Sequence, residues 1–418
     1  MKHVIKYSIA VFTIVQLFVS CQKSSSSTDS NTSKPVVTVS LAKVNTLSAS
    51  EISNFSAKVG GEVVNDGGGQ ITSRGICWST FPGPTIDSTK TTEGSGNGSF
   101  ISQLTSLKAL TKYYFRAYAT NSKGTSYGDE VSFTTIYINP IFLATNGYTI
   151  KCMDWAQIGD KGIIDGIEYT VVSATDLKNT IKSDADYSKF CTSKITDMSD
   201  IFSGKTAIRD ITRFDVSNVT NMAGMFIGCS SFNQDISIWD VSKVTNMNNM
   251  FLNCYKFNQD IGKWNLSKVT TMDGMLTYCH QLNQDLSKWD VSNVTTMGGM
   301  FQGCRSFNGN VKTWNMSKVK NIRYMFNNCP EFNQDLSQWD VSNVTDMDAT
   351  FAYCVKFNQD LSKWNVKNVI NMLRAFDGAS IYNQDLSKWD VVNVINCENF
   401  SRDTYKWTLP KPKFTKCN

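Results

Sequence analysis

From Ile195 to about Phe400 the apolar positions return on a beat of 25 residues, with Trp at 239, 264, 289, 314, 339, 364 and 389. A fixed period of this length is the mark of a solenoid, in which each unit buries its apolar face only against its neighbours. In the copy Val219-Thr-Asn-Met222-Ala-Gly-Met225-Phe226-Ile-Gly228-Cys229, the apolar residues have helical spacing with one buried face. That spacing predicts a helix of about two turns, with Thr220 able to cap its start. Gly or Asn precedes the Cys position in five copies (Gly228, Asn253, Gly303, Asn328, Gly378), and these types accept the left-handed geometry that ends a helix. Tyr278 and Tyr353 are exceptions. The second half, Phe232 to Val241, is too brief for another helix, and its Trp239-x-Val241 alternation predicts a short strand. An α/β solenoid of one strand and one helix per coil is therefore expected. Coils ~4.8 Å apart would give a rod of roughly 40 Å.

Several columns read as ladders through that rod. Met at 222, 247, 272, 297, 347 and 372 and Phe at 226, 251, 301, 326, 351 and 376 are expected in the core. Asn at 233, 258, 283, 308, 333, 358 and 383 is suited to bonding the turn backbones of adjacent coils. Asp at 235, 260, 285, 335, 360 and 385 admits two readings: a calcium ladder, or carboxylates satisfying turn amides, which is favoured. Six Cys, from 229 to 354, would point the same way on neighbouring coils; parallel Cβ vectors do not suit a disulfide, so buried thiols are expected.

Before the repeats, residues 36–135 change to period two. Runs such as Ile71-Thr-Ser-Arg-Gly-Ile-Cys-Trp78 and Tyr113-Tyr-Phe-Arg-Ala-Tyr-Ala119, separated by Gly- and Asn-rich turns, suggest an all-β sandwich. Residues 137–194 read as the solenoid's N-terminal cap, with a hairpin across Asp165-Gly166 and a short helix opening at Asp176. Cys152 and Cys191 fall in this cap and are candidates for a cross-link. Cys397 and Cys417 are candidates for stapling the C-terminal cap, 401–418. At the other end, Lys2 and Lys6 precede an apolar run from Tyr7 to Val19 that is too short to span a bilayer and stops at Ser20-Cys21. Residues 1–20 are expected to be a signal peptide and 21–35, rich in Ser and Thr, a flexible tether.

Composition narrows the chemistry. Without Lys2 and Lys6, 39 basic residues face 36 acidic ones, a balance too weak to imply nucleic acid. Of the two His, His3 lies in the signal, leaving His280 as the one imidazole on which any Ser-His-Asp or Cys-His machine would rest. There is no zinc-type Cys pair and no Gly-rich phosphate loop, so no metal or cofactor is expected. Each ladder Asp has equivalents in other coils, which points to structure rather than to a unique acid–base pair.

Three resemblances give these patterns a context. The Leu17-Phe-Val-Ser-Cys21 end of the apolar run resembles a bacterial lipoprotein signal, which implies lipidation at Cys21 and export to a Gram-negative outer membrane or cell surface. The stretch from Leu107 to Gly124, with a Tyr after a Leu-containing turn and an Asn/Gly turn at its end, resembles the late strands of fibronectin type III domains. The order Val-Thr-x-Met, Met-Phe-x-x-Cys, Phe-Asn-Gln-Asp and Trp-Asp-Val-Ser resembles the 25-residue repeat of Mycoplasma and Bacteroidetes surface lipoproteins, related to BspA-like leucine-rich repeats. That resemblance implies a curved solenoid and adhesion to host or cell-surface proteins or glycans.

If ladder positions belong to the fold, contacts must come from positions that vary. The slot after each Cys holds Ser230, Tyr255, His280, Arg305, Pro330, Val355 and Ser380. Inside the predicted helix, Arg323, Tyr324 and Arg374 depart from the small or polar usual. Tyr255, His280, Arg305, Arg323, Tyr324 and Arg374 are thus the candidate binding residues, aromatic and Arg side chains being good interface anchors. A non-enzymatic, lipid-anchored adhesion surface is the leading expectation. A spacer or component of a glycan-capture apparatus is the alternative, and a hydrolase the remote one.

Overall fold

The computed structural model describes residues 38–417. The expected signal peptide, Cys21, the tether and the first two residues of the sandwich segment lie outside the described residues. The chain divides between Ile138 and Asn139 into two compact units.

In the first unit, β1 (Lys43–Ser50), β2 (Ala57–Asn65) and β5 (Gly98–Leu104) form one antiparallel sheet in the order β1-β2-β5. The second sheet runs β4 (Thr89–Lys90), β3 (Ser73–Ser79), β6 (Lys112–Asn121), β7 (Gly124–Tyr127). Beside β7, β8 (Val131–Thr134) pairs with the first half of β6. Alternation places Phe100 and Leu104 of β5 and Tyr113, Phe115 and Ala117 of β6 in one buried cluster with Val59 and Ile76. Two sheets sharing one core make this a sandwich. Cys77 is fully buried within it.

The second unit begins with β9 (Ile141–Leu143) paired to β10 (Ile150–Cys152). A hairpin follows, β11 (Lys161–Ile164) and β12 (Ile167–Val171). Asp165 and Gly166 both have positive φ, as a two-residue hairpin turn of the primed type requires. Ser173 and Asp176 then close a reciprocal capping box on α1 (Ala174–Lys182), which buries Leu177 and Ile181. β13 (Phe190–Cys191) adds in parallel to β12.

From there the chain coils, but not as a strand and a helix. Among the described residues α1 is the one helix, and it lies in the cap. Each coil instead contributes a single parallel bridge residue, in the series Asp197, Asn221, Asn246, Thr271, Thr296, Asn321, Asp346, Asn371 and Asn396. The segment read as helical is a chain of tight turns. Met225, Ile227 and Cys229 donate their N–H groups three residues back, to Met222, Gly224 and Phe226. The alternate N–H groups, of Met222, Gly224, Phe226 and Gly228, leave the coil for the carbonyls of Asn246, Asn248, Met250 and Leu252. An α-helix would send every one of them four residues back within the segment.

The cause is a pair of left-handed residues four apart in every coil, such as Gly224 (φ 64°) with Gly228 (φ 72°) and Asn249 (φ 55°) with Asn253 (φ 63°). One such residue ends a helix; two prevent it. Tyr278 and Tyr353, the exceptions by residue type, are left-handed as well. The strand expected around Trp239 is likewise a turn, closed by Trp239 N–H to Ile236 and by Val244 N–H to Val241. Turns linking residues three apart reproduce the three–four apolar spacing of a helix, which is why periodicity misnamed the element while placing its core.

A variant pair measures this geometry. Gly228→Ala is expected to cost about 1 kcal/mol, the price of a left-handed Cβ, since nothing else crowds the site. Gly303→Ala is expected to cost more, because its Cβ would also collide with the Tyr278 ring. Urea midpoints of the two proteins give the order.

The core is a set of stacked columns. Phe226 and Phe251 lie 5.4 Å apart and nearly parallel, and Trp314 stacks on Trp339 at 6.1 Å. Each Trp from 264 to 389 donates its Nε1–H to the backbone carbonyl 28 residues earlier, as Trp289 does to Ile261 at 2.8 Å. Cys254 to Cys354 direct Sγ at carbonyls of the preceding coil in the same way, at 2.9–3.4 Å. They are buried free thiols. The Asn column works between coils: Asn233 Oδ1 accepts the Asn258 N–H at 2.9 Å, and Asn258 Oδ1 accepts that of Asn283. The far end is closed by a disulfide between Cys397 and Cys417 and by the packed rings of Phe400, Trp407 and Phe414.

Candidate binding surface

The fold places the variable slots on the outside of successive coils. Tyr255 and His280 stack face to face, ring centroids 4.8 Å apart at 10°. Tyr278 meets His280 edge-on at 6.2 Å. Partial burial and, after it, the nearby Arg305 guanidinium hold the His280 imidazole below its ordinary pKa. Tyr255, His280 and Arg305 thus form one aromatic and cationic patch, with Tyr255 42% exposed. The next slots are bland: Pro330 and Val355 follow, and beside them Lys356 pairs with Glu331 at 2.6 Å.

A second group lies on the left-handed turns. Tyr324 and Arg374 each occupy the earlier left-handed position of their coil. Arg374 donates to the Tyr324 hydroxyl at 3.0 Å and lies 3.6 Å from the Asp348 carboxylate. Burial first, and then the bond to Asp348, raises the Tyr324 phenol above its usual pKa. The arrangement recurs at the end of the row, where Arg402 pairs with the fully buried Asp377 and reaches toward the Tyr353 hydroxyl at 3.5 Å. Arg323 stands apart from these pairs. With Tyr324 and Tyr278 it lines a cavity of about 470 Å³ whose remaining walls include Asp273, Gln302 and the Gly298–Gly299 pair.

Tyr278 is therefore the residue that joins the two groups, touching His280 on one side and lining the cavity on the other. Its signal in the sequence is its type, an aromatic that, with Tyr353, departs from a column otherwise given to Gly and Asn. Asp348 and Asp377 escaped notice because they lie in the predicted helix, where an acidic residue reads as solvent-facing.

The ladder carboxylates cap turns. Asp235, Asp285, Asp335, Asp360 and Asp385 each accept the N–H of the Ser two residues on, at 2.8–2.9 Å. Those bonds hold their carboxyls below the usual range; in Asp335 an added bond from Lys312 takes it to about 2. Among the described residues no group of three or more His, Cys, Asp or Glu is placed to hold a metal ion.

Cys152 and Cys191 are both buried and free rather than bridged. A hydrogen bond from Cys191 lowers the Cys152 thiol to about 7, while that bond and burial raise Cys191. Among the described residues no helix is long and apolar enough to cross a membrane.

The family model described as "Mycoplasma protein of unknown function, DUF285" matches at residues 171–279, 258–355 and 307–413, together more than half of the chain. Among curated proteins none matches. Two solved structures of the sensor domain of the anti-sigma factor RsgI4 in Pseudobacteroides cellulosolvens show local likeness. The short form, 20% identical, covers 24% of this chain and 100% of its own, with a TM-score of 0.20. The solution structure, also 20% identical, covers 23% of this chain and 76% of its own, with a TM-score of 0.18.

Proposed function

This chain belongs to the Mycoplasma repeat family of unknown function, DUF285, and from that premise we propose that it is a non-enzymatic surface protein whose solenoid binds a protein or a glycan. On this reading the chain is exported, lipidated at Cys21 and held at an outer membrane or cell surface. The sandwich is of fibronectin type III kind and serves as the spacer. Its strand order supports that assignment, as does Tyr113, whose hydroxyl accepts the Lys108 N–H at 2.9 Å in the manner of a tyrosine corner.

One observation carries the binding reading. Tyr255, His280 and Arg305 occupy positions the core does not use, yet they gather into a single stacked and cationic patch. They stand in one slot of three consecutive coils, so a ligand lying along the row would meet all three. Aromatic and Arg side chains also supply most of the energy of protein interfaces.

The test uses residues 22–418, without the lipid, on arrays of extracellular matrix proteins and glycans. A ligand is expected to bind, and changing Tyr255→Ser, Arg305→Ser and Tyr324→Asn together is expected to weaken it more than about tenfold. A blank array with a folded protein would overturn the reading in favour of a spacer.

A further inference from the structure

The cavity beside Arg323 has a feature that folding alone does not demand. Gly299 is left-handed, at φ 65°, and so suits its turn. Gly298 is not in that region, and its backbone would accept a side chain. The equivalent slot in other coils holds one: Ala223, Asn248, Asp273, Arg323, Asp348 and Leu373. A Cβ at Gly298 would enter the space between Asp273 Oδ1, at 3.1 Å, and Arg323 Cγ, at 3.4 Å. The missing side chain is therefore what opens the cavity, whose lining also includes Tyr278 and Tyr324.

Both tyrosines line it from coils separated by one; the Tyr278 ring lies over Gly303 of the coil between, and Tyr324 turns its hydroxyl to Arg374. The volume, about 470 Å³, falls in the range of small-ligand sites, roughly 300–1,000 Å³. Its polar groups are mixed. Asp273 accepts hydrogen bonds, Arg323 donates them, and the Gln302 and Asn321 amides do both. One carboxylate and one guanidinium leave the lining without net charge, which disfavours a strongly ionic ligand. Ring faces for C–H groups, with alternating donors and acceptors around them, fit a neutral sugar.

We infer that the Gly298 cavity is a subsite for a single neutral hexopyranose residue of a glycan, lined by Tyr278 and Tyr324 and hydrogen-bonded by Asp273, Arg323 and Gln302. The inference rests on the binding reading above and gives it a ligand class.

The experiment is saturation-transfer NMR on residues 22–418 with the methyl pyranosides of glucose, galactose, mannose and N-acetylglucosamine. Transfer to at least one pyranoside is expected. Gly298→Leu should abolish it by filling the cavity, Arg323→Ala should weaken it by about tenfold for a lost hydrogen bond to a charged group, and Val355→Ala, in one of the bland slots, should leave it unchanged. Circular dichroism checks each fold; should Gly298→Leu fail to fold, Arg323→Ala decides. No transfer from any pyranoside, or transfer that survives these cavity changes, overturns the subsite. An array ligand that still depends on Tyr255 and Arg305 would then leave the broader binding reading standing, whereas a blank array would remove both.

Discussion

Replacing Phe326 with alanine is expected to destabilise the solenoid by about 3–5 kcal/mol, the usual cost of emptying a large aromatic site in a core. The ring is fully buried and sits at the crossing of two columns. It lies 3.9 Å from Phe332 in its own coil, 5.6 Å from Phe301 before it and 5.9 Å from Phe351 after it. Trp339 approaches at 6.1 Å. Little of that space can collapse, because the neighbours are pinned by coils on either side. Coils touch only adjacent coils, so the lesion should also weaken the coupling between the two halves of the rod. Urea unfolding followed by tryptophan fluorescence should show a lower midpoint and a broader transition than in the parent. A sharp transition with an unchanged midpoint would mean that the columns contribute far less than their burial implies.

The second large effect is at the C-terminus. Opening the Cys397–Cys417 disulfide by Cys417→Ser is expected to cost about 3 kcal/mol, since the bridge closes a loop with a sequence separation of 20. Phe400, Trp407 and Phe414 would remain as the cap's apolar contacts. Reductant distinguishes this bridge from the Cys column. Thermal unfolding of the parent should fall to that of Cys417→Ser in the presence of dithiothreitol, and Cys417→Ser itself should not respond. A response in the variant would point to a second bridge and contradict the free thiols seen from Cys229 to Cys354.

The core of this protein was readable from sequence residue by residue, and the backbone was not. Met222, Phe226 and Cys229 are fully buried where the repeat placed them, and Asn233 bonds the next coil as its column suggested. Burial follows from side-chain type and period, which a sequence displays directly. The helix failed because its test, apolar residues three and four apart, is also met by turns that link residues three apart. The decisive evidence was a second left-handed residue per coil, at 224, 249, 274, 299, 324, 349 and 374. Gly, Asn, Tyr, Ala and Arg share that position, so no residue type flags it, and the backbone bonds that impose it run to a coil some 24 residues away. The candidate binding residues were legible as departures from the repeat. Their grouping was not, because it depends on Tyr278, and because Gly298 matters through what it lacks.

The direction of the side-chain bonds has a consequence for how such a rod is made. Trp264, Cys254 and Gln259 all donate to carbonyls of the coil before their own. A chain that emerges amino end first therefore meets, at every new repeat, acceptors that are already in place. Backbone N–H groups such as those of Met222 and Phe226 run the other way, to Asn246 and Met250, so each junction is bonded from both sides. The N–H groups of Phe376 and Gly378 still find the carbonyls of Phe400 and Arg402 in the coil of Asn396, and the Cys397–Cys417 disulfide then closes that coil. Length is then a matter of how many repeats precede that stop, so reach can change by whole units without redesign of the core.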